Sequence, residues 1–559
     1  MLLDGPGAVL EARLDEPERG SAIAAWRQWA RRLLDAVGWA DETLATRTFA
    51  GGVSLAISAP IDALYAATDL NERAWTAAVA EVRGEKVADL RASVAALLDE
   101  ITHERNPVLA GLYRGARARG LTFLSGEDLV SVGSGRGALL WQVSVLPELA
   151  EVAWSTASDI PTALVTGSNG KTTVVRMIGA MVEAAGRVPG TTSTDGVTVG
   201  ATLLEEGDFA GPSGARMVLR HTEVETAILE TARGGILRRG LPVERADVGV
   251  VTNIADDHLG EFGIESLPDL ADTKLVVAKA LGKTGTLVLN GDDPLLVEKA
   301  RRLQCRLSWF STDPGSPVIS EHLRSGGTAV FADGGTIVLA QGERRIPLVA
   351  VDEIPITYRG AAVYNIANAA AAAAAATALG VEPKHLSSAL RGFGRDLDDN
   401  PGRANLLEVG GARILLDFAH NPHGMSALVE VARTLPAGRR LMLVGQAGDR
   451  NDDAIRALAR AAWQLHPDHV VVKDMPGYLR GRAPGEVPTL LADEFSRLGL
   501  PQDALSAAGS ELSAARAALA WARPGDLLVL AVHEDRRGVY QLIDQLHAAH
   551  WRAGEPLPV

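Results

Sequence analysis

Apolar residues recur with two different periods along the chain, and the changes of period predict how it is divided. Near the start, Trp26, Trp29 and Leu33 fall on one face of a helix, while residues 53–57 alternate as in a strand. Residues 1–105 are therefore predicted to form a small α+β domain. Aromatic side chains bury large areas, so we expect its tryptophans to belong to the core rather than to a ligand platform. These tryptophans are Trp26, Trp29, Trp39 and Trp75.

Residues 106–160 are predicted to form a short connecting region. A helix pattern at Leu109–Arg117 and a strand pattern at Leu121–Leu124 precede a glycine-rich turn, Gly133–Gly137. The turn has no GxGxxG pattern followed by a helix pattern. We therefore interpret it as a structural turn rather than as a nucleotide-binding loop.

Strand and helix patterns alternate from Pro161 onward, which predicts a largely parallel sheet covered by helices on both faces. An antiparallel insert is predicted where strand patterns at Thr328–Phe331 and Thr336–Leu339 flank the turn sequence Asp-Gly-Gly. The remaining strand patterns of this region are Thr162–Val165, Glu225–Leu229, Val248–Thr252 and Thr286–Leu289.

A second alternating region follows the cluster of Asp, Asn, Pro and Gly at Asp396–Gly402. Each of its strand patterns precedes a loop and a helix pattern, which predicts a smaller Rossmann-like domain. We therefore place a central α/β domain at residues 161–398 and a C-terminal domain at residues 399–559. The strand patterns of the C-terminal domain are Arg413–Leu416, Leu441–Val444, His469–Val472 and Leu527–Leu530.

The segment Thr166–Thr173 has the sequence TGSNGKTT and lies between a strand pattern and a helix pattern, as a phosphate-binding loop does. Gly167 and Gly170 let the backbone turn and point its N–H groups inward, towards the positive N-terminus of the helix. Lys171 adds a positive charge, and Thr172 offers a hydroxyl group to a magnesium ion. We therefore predict that the chain binds ATP. A valine replaces the first glycine of the general pattern, so the loop is of the shortened GxxGKTT kind.

Polar residues also follow the next two strand patterns. Glu230 ends one of them, and the other ends at Thr252-Asn253, shortly before His258. Such groups at the carboxyl ends of parallel strands, beside a phosphate-binding loop, lie where an α/β sheet places metal ligands. Either residue alone would suit a structural role, but together they predict a metal site.

Composition narrows the class of protein. The 559 residues carry a net charge of −14, which argues against a nucleic-acid-binding surface. The single cysteine, Cys305, excludes a disulfide framework within the chain. The N-terminus lacks the pattern of a signal peptide, so we expect a cytoplasmic protein. The most apolar stretch, Ala367–Ala378, is shorter than the roughly 20 residues that span a bilayer, so no membrane association is expected. A homo-oligomer is compatible with the sequence.

The order and spacing of these motifs resemble the Mur ligase family. The residues that carry this resemblance are Gly167–Thr173, Glu230, Thr252–Ile254, Asp257–Leu259, Lys274, Asn290–Asp293, Asn365, Asn368, Arg403 and Asp417–Pro422. Within the family, the sequence is most similar to the Mur-like module of cyanophycin synthetases. The segments that carry this closer similarity are Leu229–Arg238, Asn400–Arg403, Gly448–Arg450 and Leu479–Arg482.

The N-terminal part also resembles those synthetases. Ile57–Trp75 is similar to their front domain, and Asn106–Val143 is similar to the lead-in to their ATP-grasp module. The segment between Trp141 and Thr162 is too short to contain that module. The chain thus resembles a relative that retains the front domain and the Mur-like ligase without the ATP-grasp centre.

The resemblance implies a three-domain Mur ligase-like architecture and an ATP-dependent, ADP-forming ligase. Such an enzyme forms an amide or isopeptide bond through an acyl phosphate. The amine would come from arginine or another basic amino acid, and the acid would be an aspartate β-carboxyl group or a short peptide. Two alternatives remain: a Mur-like ligase of another specificity, such as polyglutamyl addition to a folate-like acid, and a non-catalytic nucleotide-binding scaffold derived from a synthetase.

The resemblance also implies roles for individual residues. Lys171, Glu230, His258 and Lys274 would be catalytic. Two Mg²⁺ ions would be held by Thr172, Glu230, His258 and a carbamate on Lys274. The nucleotide would contact Gly167, Ser168, Asn169, Gly170, Lys171, Thr172, Thr173, Asn253, Asn290, Asp293, Arg403 and Asp417. The amino acid or peptide substrates would contact His420, Asn421, Asp449, Arg450, Lys473, Arg480 and Arg482.

Overall fold

The structure is a computed structural model that describes most of the chain. The described residues are 3, 5–14, 16–256, 259–260 and 263–558. The predicted metal ligand His258 lies outside them, as does its neighbour Asp257 in the family motif. None of the helices in the described part of the chain is long and apolar enough to cross a bilayer.

The N-terminal domain is an antiparallel sheet covered by helices, and its strand order is β1-β3-β2. Because β3 is the central strand, its residues are nearly all buried, on both faces. Trp26, Trp29 and Trp39 are buried in the same core, and Trp75 packs against it, which confirms the interpretation of the four tryptophans. The elements are β1 (Gly7–Arg13), α1 (Glu16–Ala36), β2 (Leu44–Phe49), β3 (Gly52–Ser58), α2 (Leu64–Arg83) and α3 (Leu90–Glu104).

The connecting region forms a small antiparallel sheet of its own, of strand order β4-β5-β6. The glycine-rich turn is tightly packed: Gly133 has φ +77°, and a Cβ there would lie 2.6 Å from the Gly137 carbonyl oxygen. The backbone N–H of Arg136 donates to the Val224 carbonyl at 2.9 Å, so the turn docks this sheet onto the central domain. The elements are α4 (Pro107–Ala118), β4 (Phe123–Ser125), β5 (Leu129–Val132) and β6 (Leu139–Gln142).

The central domain is built on one long mixed sheet of order β10-β9-β8-β11-β7-β12-β13-β14-β15-β16-β17, whose parallel part runs from β8 to β15. Its strands are β7 (Thr162–Thr166), β8 (Pro189–Ser193), β9 (Gly196–Val199), β10 (Thr202–Glu206), β11 (Thr226–Glu230), β12 (Val248–Val251), β13 (Thr286–Asn290), β14 (Arg306–Ser311), β15 (Thr328–Asp333), β16 (Thr336–Gln341) and β17 (Arg344–Ala350). Its helices are α5 (Lys171–Ala184), α6 (Pro212–Arg220), α7 (Arg233–Arg239), α8 (Leu267–Lys274), α9 (Pro294–Ala300), α10 (Pro317–Arg324), α11 (Val363–Ala378) and α12 (Pro383–Gly392).

The antiparallel strands predicted after β14 are confirmed. The strands β15, β16 and β17 do form antiparallel hairpins, but they continue the main sheet rather than forming a separate unit. The reason is that β15 also pairs in parallel with β14, with Ser308 opposite Thr328.

The C-terminal domain has a second, smaller sheet of order β18-β19-β23-β20-β21-β22, parallel except for the edge strand β18. The predicted α/β architecture of this part is thereby confirmed. Its elements are β18 (Asn405–Val409), β19 (Ala412–Asp417), α13 (Pro422–Thr434), β20 (Arg440–Val444), α14 (Asp452–Trp463), β21 (His469–Lys473), α15 (Glu486–Arg497), β22 (Leu505–Ala508), α16 (Glu511–Trp521), β23 (Leu527–Ala531) and α17 (Arg536–Ala548).

The alanine-rich helix α11 is sandwiched between the sheet and α5, the helix that begins at Lys171. Residues 369–376 are all buried, since α11 contacts α5 on one side and several strands from β12 to β16 on the other. A side chain no larger than a methyl group lets α11, α5 and the sheet approach this closely, and alanine favours the helix more than glycine does. The composition of the stretch is thus explained by packing.

We expect Ala372→Leu to destabilise the protein by about 1–3 kcal/mol, because Ala372 is fully buried and the added atoms overpack the contact with α5 and the sheet. Ala378→Leu, at the exposed end of the same helix, should change stability by less than about 0.5 kcal/mol. Thermal melting of both variants checks this, and equal melting temperatures would contradict it.

Candidate functional site

The site lies at the carboxyl ends of three neighbouring strands. In the central sheet β7 pairs in parallel with β11 on one side and with β12 on the other, so the segments that follow these strands meet at one edge. The C-terminal domain faces this edge and closes a cavity of about 370 Å³. Its lining includes Ser168, Asn169, Gly170, Lys171, Thr172, Thr173, Glu230, Asn253, Asn290, Arg403, Asp417 and His420. The structure therefore brings most of the predicted nucleotide-contacting residues together.

The phosphate-binding loop is pinned to the end of β12. A Cβ at Gly167 would lie 1.8 Å from Thr252 Oγ1, so only glycine fits there. Thr252 Oγ1 donates to the Asn169 carbonyl at 2.6 Å, and the Asn169 N–H donates to Asn253 Oδ1 at 3.0 Å. Asn253 Nδ2 also donates to the Asn169 carbonyl. Asn253 thus lines the cavity while its amide holds the loop in shape.

Thr172 and Glu230 form a contact at the head of α5 that suits a hard cation. Thr172 Oγ1 donates to Glu230 Oε2 at 2.8 Å, and Glu230 is only 1% exposed. Burial raises the pKa of Glu230, and Lys171 offsets part of that rise. Among the described residues, Glu230 Oε1 has no hydrogen-bond partner. A buried carboxylate oxygen without a partner, beside a threonine hydroxyl, fits a magnesium ion that takes its other ligands from phosphate and water.

Asp293 does not lie where the sequence suggested. Its carboxylate caps α9 by accepting the N–H groups of Leu295 and Leu296, at 3.0 and 3.2 Å, and it accepts the Ile254 N–H at 2.7 Å. With its oxygens so occupied, Asp293 shapes the loop after β12 and is not among the residues that line the cavity. Asp292, Thr312 and Phe310 line that end of the cavity together with Asn290.

The C-terminal domain contributes a charged face. The Arg403 guanidinium lies 4.2 Å from the centre of the Phe418 ring. Asp417 accepts the Ala404 N–H at 2.7 Å, and burial raises the pKa of Asp417 to about 6, although Arg403 opposes the rise. Arg403 and Asp417 both line the cavity.

The phosphate-binding loop and the C-terminal domain are in direct contact through Asn169. Asn421 Nδ2 donates to Asn169 Oδ1 at 3.0 Å, and Asn169 Nδ2 lies 2.9 Å from His423 Nδ1. Asn421 Oδ1 caps α13 through the Gly424 N–H. Asn421, predicted to bind substrate, therefore serves as a contact between the domains and lines neither cavity of the site.

A larger cleft of about 1530 Å³ adjoins the nucleotide-sized cavity. Both spaces are lined by Lys171, Thr194, Phe418 and His420, so they meet at these four residues. We call this place the junction. Lys274, which is 3% exposed, lines the cleft on the side of the central domain. Asp449, Arg450 and Arg480 line it on the opposite side.

Two of the predicted substrate-binding residues are structural instead. Lys473 is fully buried, and its ammonium group pairs with Glu511 and donates to the Ala531 carbonyl at 2.6 Å. Arg482 donates to the Gly448 and Arg450 carbonyls and pairs with Asp452 at 2.8 Å. Neither side chain lines the cleft, since each is occupied in holding the loops at the ends of the C-terminal strands.

Sequence reasoning missed three charged residues beside the junction: Arg176, Asp195 and Arg536. Asp195 follows the carboxyl end of β8, Arg176 lies on α5, and Arg536 begins α17. Asp195 could have been found by applying the strand-end rule to the segment Thr191–Gly196. The arginines gave no comparable signal, because an arginine on a helix is ordinarily solvated.

Comparison with known proteins gives two family matches. The profile of the Mur ligase middle domain matches residues 165–376, and that of the Mur ligase glutamate ligase domain matches residues 402–531. Together they cover more than half of the chain.

Among similar proteins, a cyanophycin synthetase of Geminocystis herdmanii is 39% identical over 335 residues, which are 60% of this chain and 38% of that protein. A UDP-N-acetylmuramoylalanine–D-glutamate ligase of Chlorobium phaeobacteroides is 33% identical over 233 residues, 41% of this chain and 46% of that protein. The chain thus spans about two fifths of the length of the cyanophycin synthetases it matches. In fold, it resembles E. coli FolC in complex with DHPP and ADP, with a TM-score of 0.50, 21% identity, and coverage of 70% of this chain and 89% of that one.

The raised pKa of Asp417 predicts how the stability of the nucleotide-free protein depends on pH. At pH values between the ordinary pKa of aspartate and about 6, Asp417 keeps its proton in the folded protein and loses it in the unfolded chain. The contribution of this carboxyl group to the free energy of unfolding therefore decreases as pH rises through that range. We expect the stability of Asp417→Asn relative to the natural protein to increase by about 2 kcal/mol from pH 4.5 to pH 7.5. Urea denaturation at both pH values measures it, and a pH-independent difference would contradict it.

Proposed function

The chain carries the middle domain and the glutamate ligase domain of the Mur ligase family, and on that premise we propose that it is an ATP-dependent ligase. It joins the amine of an amino acid to a carboxylate of an amino acid or short peptide. The observation that supports this most directly is the junction, where a nucleotide-sized cavity opens into a larger cleft at Lys171, Thr194, Phe418 and His420. A phosphoryl group held on one side can there meet a carboxylate held on the other.

The chemistry requires activation of the acid. A carboxylate does not react with an amine directly, because oxide is a poor leaving group. In the proposed reaction a carboxylate oxygen attacks the γ-phosphorus of ATP and ADP leaves. The amine then attacks the acyl carbon, phosphate leaves, and the amine loses a proton. Lys171 and the N–H groups of the loop offset charge on the transferring phosphoryl group. The closed C-terminal domain keeps water from the acyl phosphate.

Magnesium fits the head of α5. Thr172 and Glu230 would hold one ion there, and His258, outside the described residues, is proposed as a ligand of a second. When bound, Mg²⁺ neutralises negative charge on the phosphate oxygens. The support for this assignment is the buried Glu230 oxygen that has no partner among the described residues.

We propose that Lys274 carries a carbamate. Its neutral amine would add to carbon dioxide and release one proton, which turns a cation into a pair of oxygen donors suited to Mg²⁺. Lys274 is buried at the C-terminal end of α8 and lines the cleft. A lysine on a helix is ordinarily exposed, so this burial favours a specific role.

For the substrates we propose arginine, or another basic amino acid, as the amine and an aspartate β-carboxyl group as the acid. The support is the similarity to proteins named cyanophycin synthetase. The cleft also has an exposed acidic residue on the C-terminal domain, Asp544, which would suit a cationic side chain. Glu534 and Asp535 line the cleft too, but they accept the N–H groups of Gly477 and Gly538.

The proposal is tested by incubating the protein with ATP, Mg²⁺ and pooled amino acids and dipeptides, and by measuring ADP release together with product mass. We expect ADP and a product one amino-acid residue heavier than one of the added acids. Lys171→Ala should reduce this turnover by at least about 100-fold, since it removes charge stabilisation at the transferring phosphoryl group.

The matched control is Lys283→Ala, an exposed lysine of the same domain, which should turn over normally. Absence of ADP release with every mixture would favour the non-catalytic scaffold. A product from folate-like acids and glutamate alone would favour the other ligase specificity. Full turnover by Lys171→Ala would refute the assignment of the loop.

Lys274→Arg tests the carbamate. Arginine retains the positive charge but forms no carbamate under these conditions, so we expect turnover to fall by about 100-fold or more, while Lys279→Arg, an exposed lysine of the following turn, should be unaffected. Added formate or acetate should partly restore Lys274→Ala by supplying carboxylate oxygens. A carbamate carbon signal with ¹³C-bicarbonate should appear in the natural protein only. Near-normal turnover of Lys274→Arg would contradict the proposal.

A further inference from the structure

One carboxylate beside the junction contacts three arginines from two domains. Asp195 lies in the turn between β8 and β9, and its side chain is 12% exposed. Asp195 Oδ1 lies 2.7 Å from Arg536 Nη1, and Asp195 Oδ2 lies 2.9 Å from Arg176 Nη2 and 3.9 Å from Arg403 Nη2. We call these four residues the Asp195 cluster. It joins the central domain, through Arg176 and Asp195, to the C-terminal domain, through Arg403 and Arg536.

The Asp195 cluster forms part of the wall between the two spaces of the site. Arg403 lines the nucleotide cavity, whereas Arg536 and Asp195 line the cleft. Thr194, the neighbour of Asp195, lines both and accepts a hydrogen bond from Arg403 Nη2 at 3.3 Å. One carboxylate is therefore in contact with the arginine that faces the nucleotide and with the arginine that faces the second substrate.

The charges in the Asp195 cluster do not balance. Burial lowers the pKa of Arg176 to about 10, although the negative charge of Asp195 acts to raise it. The positive charges of Arg403 and Arg536 lower this pKa further. Burial by itself would raise the pKa of Asp195, but the three arginines bring it below its ordinary value. Three guanidinium groups at this spacing repel one another, and Asp195 is the carboxylate that forms ion pairs with all three. Glu230 and Asp417 add attraction for Arg176 and Arg403, respectively.

The position of Arg536 is also tied to the segment that joins the two domains. Arg536 Nη1 donates to the Pro401 carbonyl at 3.2 Å, and a Cβ at Gly402 would lie 2.4 Å from Arg536 Cδ. Asn400 Nδ2 donates to Thr173 Oγ1 at 3.3 Å, which anchors the same segment to α5. Arg536 therefore reaches Asp195 when this segment lies against the phosphate-binding helix, as it does in the closed arrangement.

We propose that Asp195 is a positioning residue for the ligation: it holds Arg403 at the nucleotide and Arg536 at the acid substrate, and it does so only when the C-terminal domain is closed. This inference rests on the proposed function for its catalytic consequence. Asp195 itself contacts neither reacting atom. Because Asp195 contacts both arginines across the domain boundary, closing the domains also fixes the positions of Arg403 and Arg536. Both substrates then bind beside arginines that are already in place.

Asp195→Asn tests the proposal because it retains size and a hydrogen-bond acceptor while removing the charge. We expect kcat to fall by about 100-fold, the loss that misplacement by about 1 Å produces. The dissociation constant of the protein for the Mg²⁺ complex of the ATP analogue AMP-PNP should stay within about threefold or decrease, because Asp195 no longer competes with the phosphates for Arg403. Asp195→Glu should recover part of kcat. The control is Glu205→Gln, an exposed charge on the adjacent β10, which should behave as the natural protein does.

A second measurement does not depend on turnover. Small-angle X-ray scattering with AMP-PNP and Mg²⁺ should give a larger radius of gyration for Asp195→Asn than for the natural protein and for Glu205→Gln. If the natural protein releases no ADP with any mixture, the proposed function fails and the scattering still tests Asp195. Equal radii overturn the inference. Turnover of Asp195→Asn within twofold of that of the natural protein would also overturn it. The inference fails as well if weaker AMP-PNP binding or a lower melting temperature accounts for the whole loss of turnover.

Discussion

The parallel pairing of β7 between β11 and β12 is the constraint on which the rest of the site depends. It places the phosphate-binding loop, Glu230 and the segment after Val251 at one edge of the sheet. The close approach of Gly167 to Thr252 then leaves the loop one shape, since no other residue fits the gap. Because these groups are fixed by strand register rather than by surface loops alone, the phosphate side of the site is built before any ligand arrives.

Features that depend on a short stretch of sequence were predicted correctly. The phosphate-binding loop, the strand-end Glu230 and the buried tryptophans each follow from a short pattern with a direct physical cause. The long sheet was harder, because the extension by β15, β16 and β17 depends on whether β15 finds a parallel partner in β14 as well as its hairpin partner β16. That choice is made by tertiary packing, and residues 328–341 taken alone read equally well as a separate hairpin.

Dependence on tertiary packing also explains why some of the predicted site residues do not line either space of the site. Lys473 is the last residue of its strand, as Glu230 is of β11, yet it is buried against Glu511. Glu511 also accepts the backbone N–H groups of His533 and Asp535. Removing one member of such a pair would leave a buried charge unpaired. The carboxylate of Asp293 is likewise occupied, because it caps the N-terminus of α9. A polar residue at a strand end thus predicts either a ligand contact or an internal anchor, and only the neighbouring chain decides between them.

The charged wall between the two spaces is built by both domains. Arg403 and Arg536 belong to the C-terminal domain, but the carboxylate that holds them belongs to the central domain. Separating the domains would leave the two arginines without this partner and would also break the contact of Asn169 with Asn421. Closure is therefore favoured by polar contacts beside the junction, where we propose that the substrates meet. Polar contacts of this kind exchange readily with water, in contrast to an apolar interface, so the two domains can separate as the proposed ligation would require for product release.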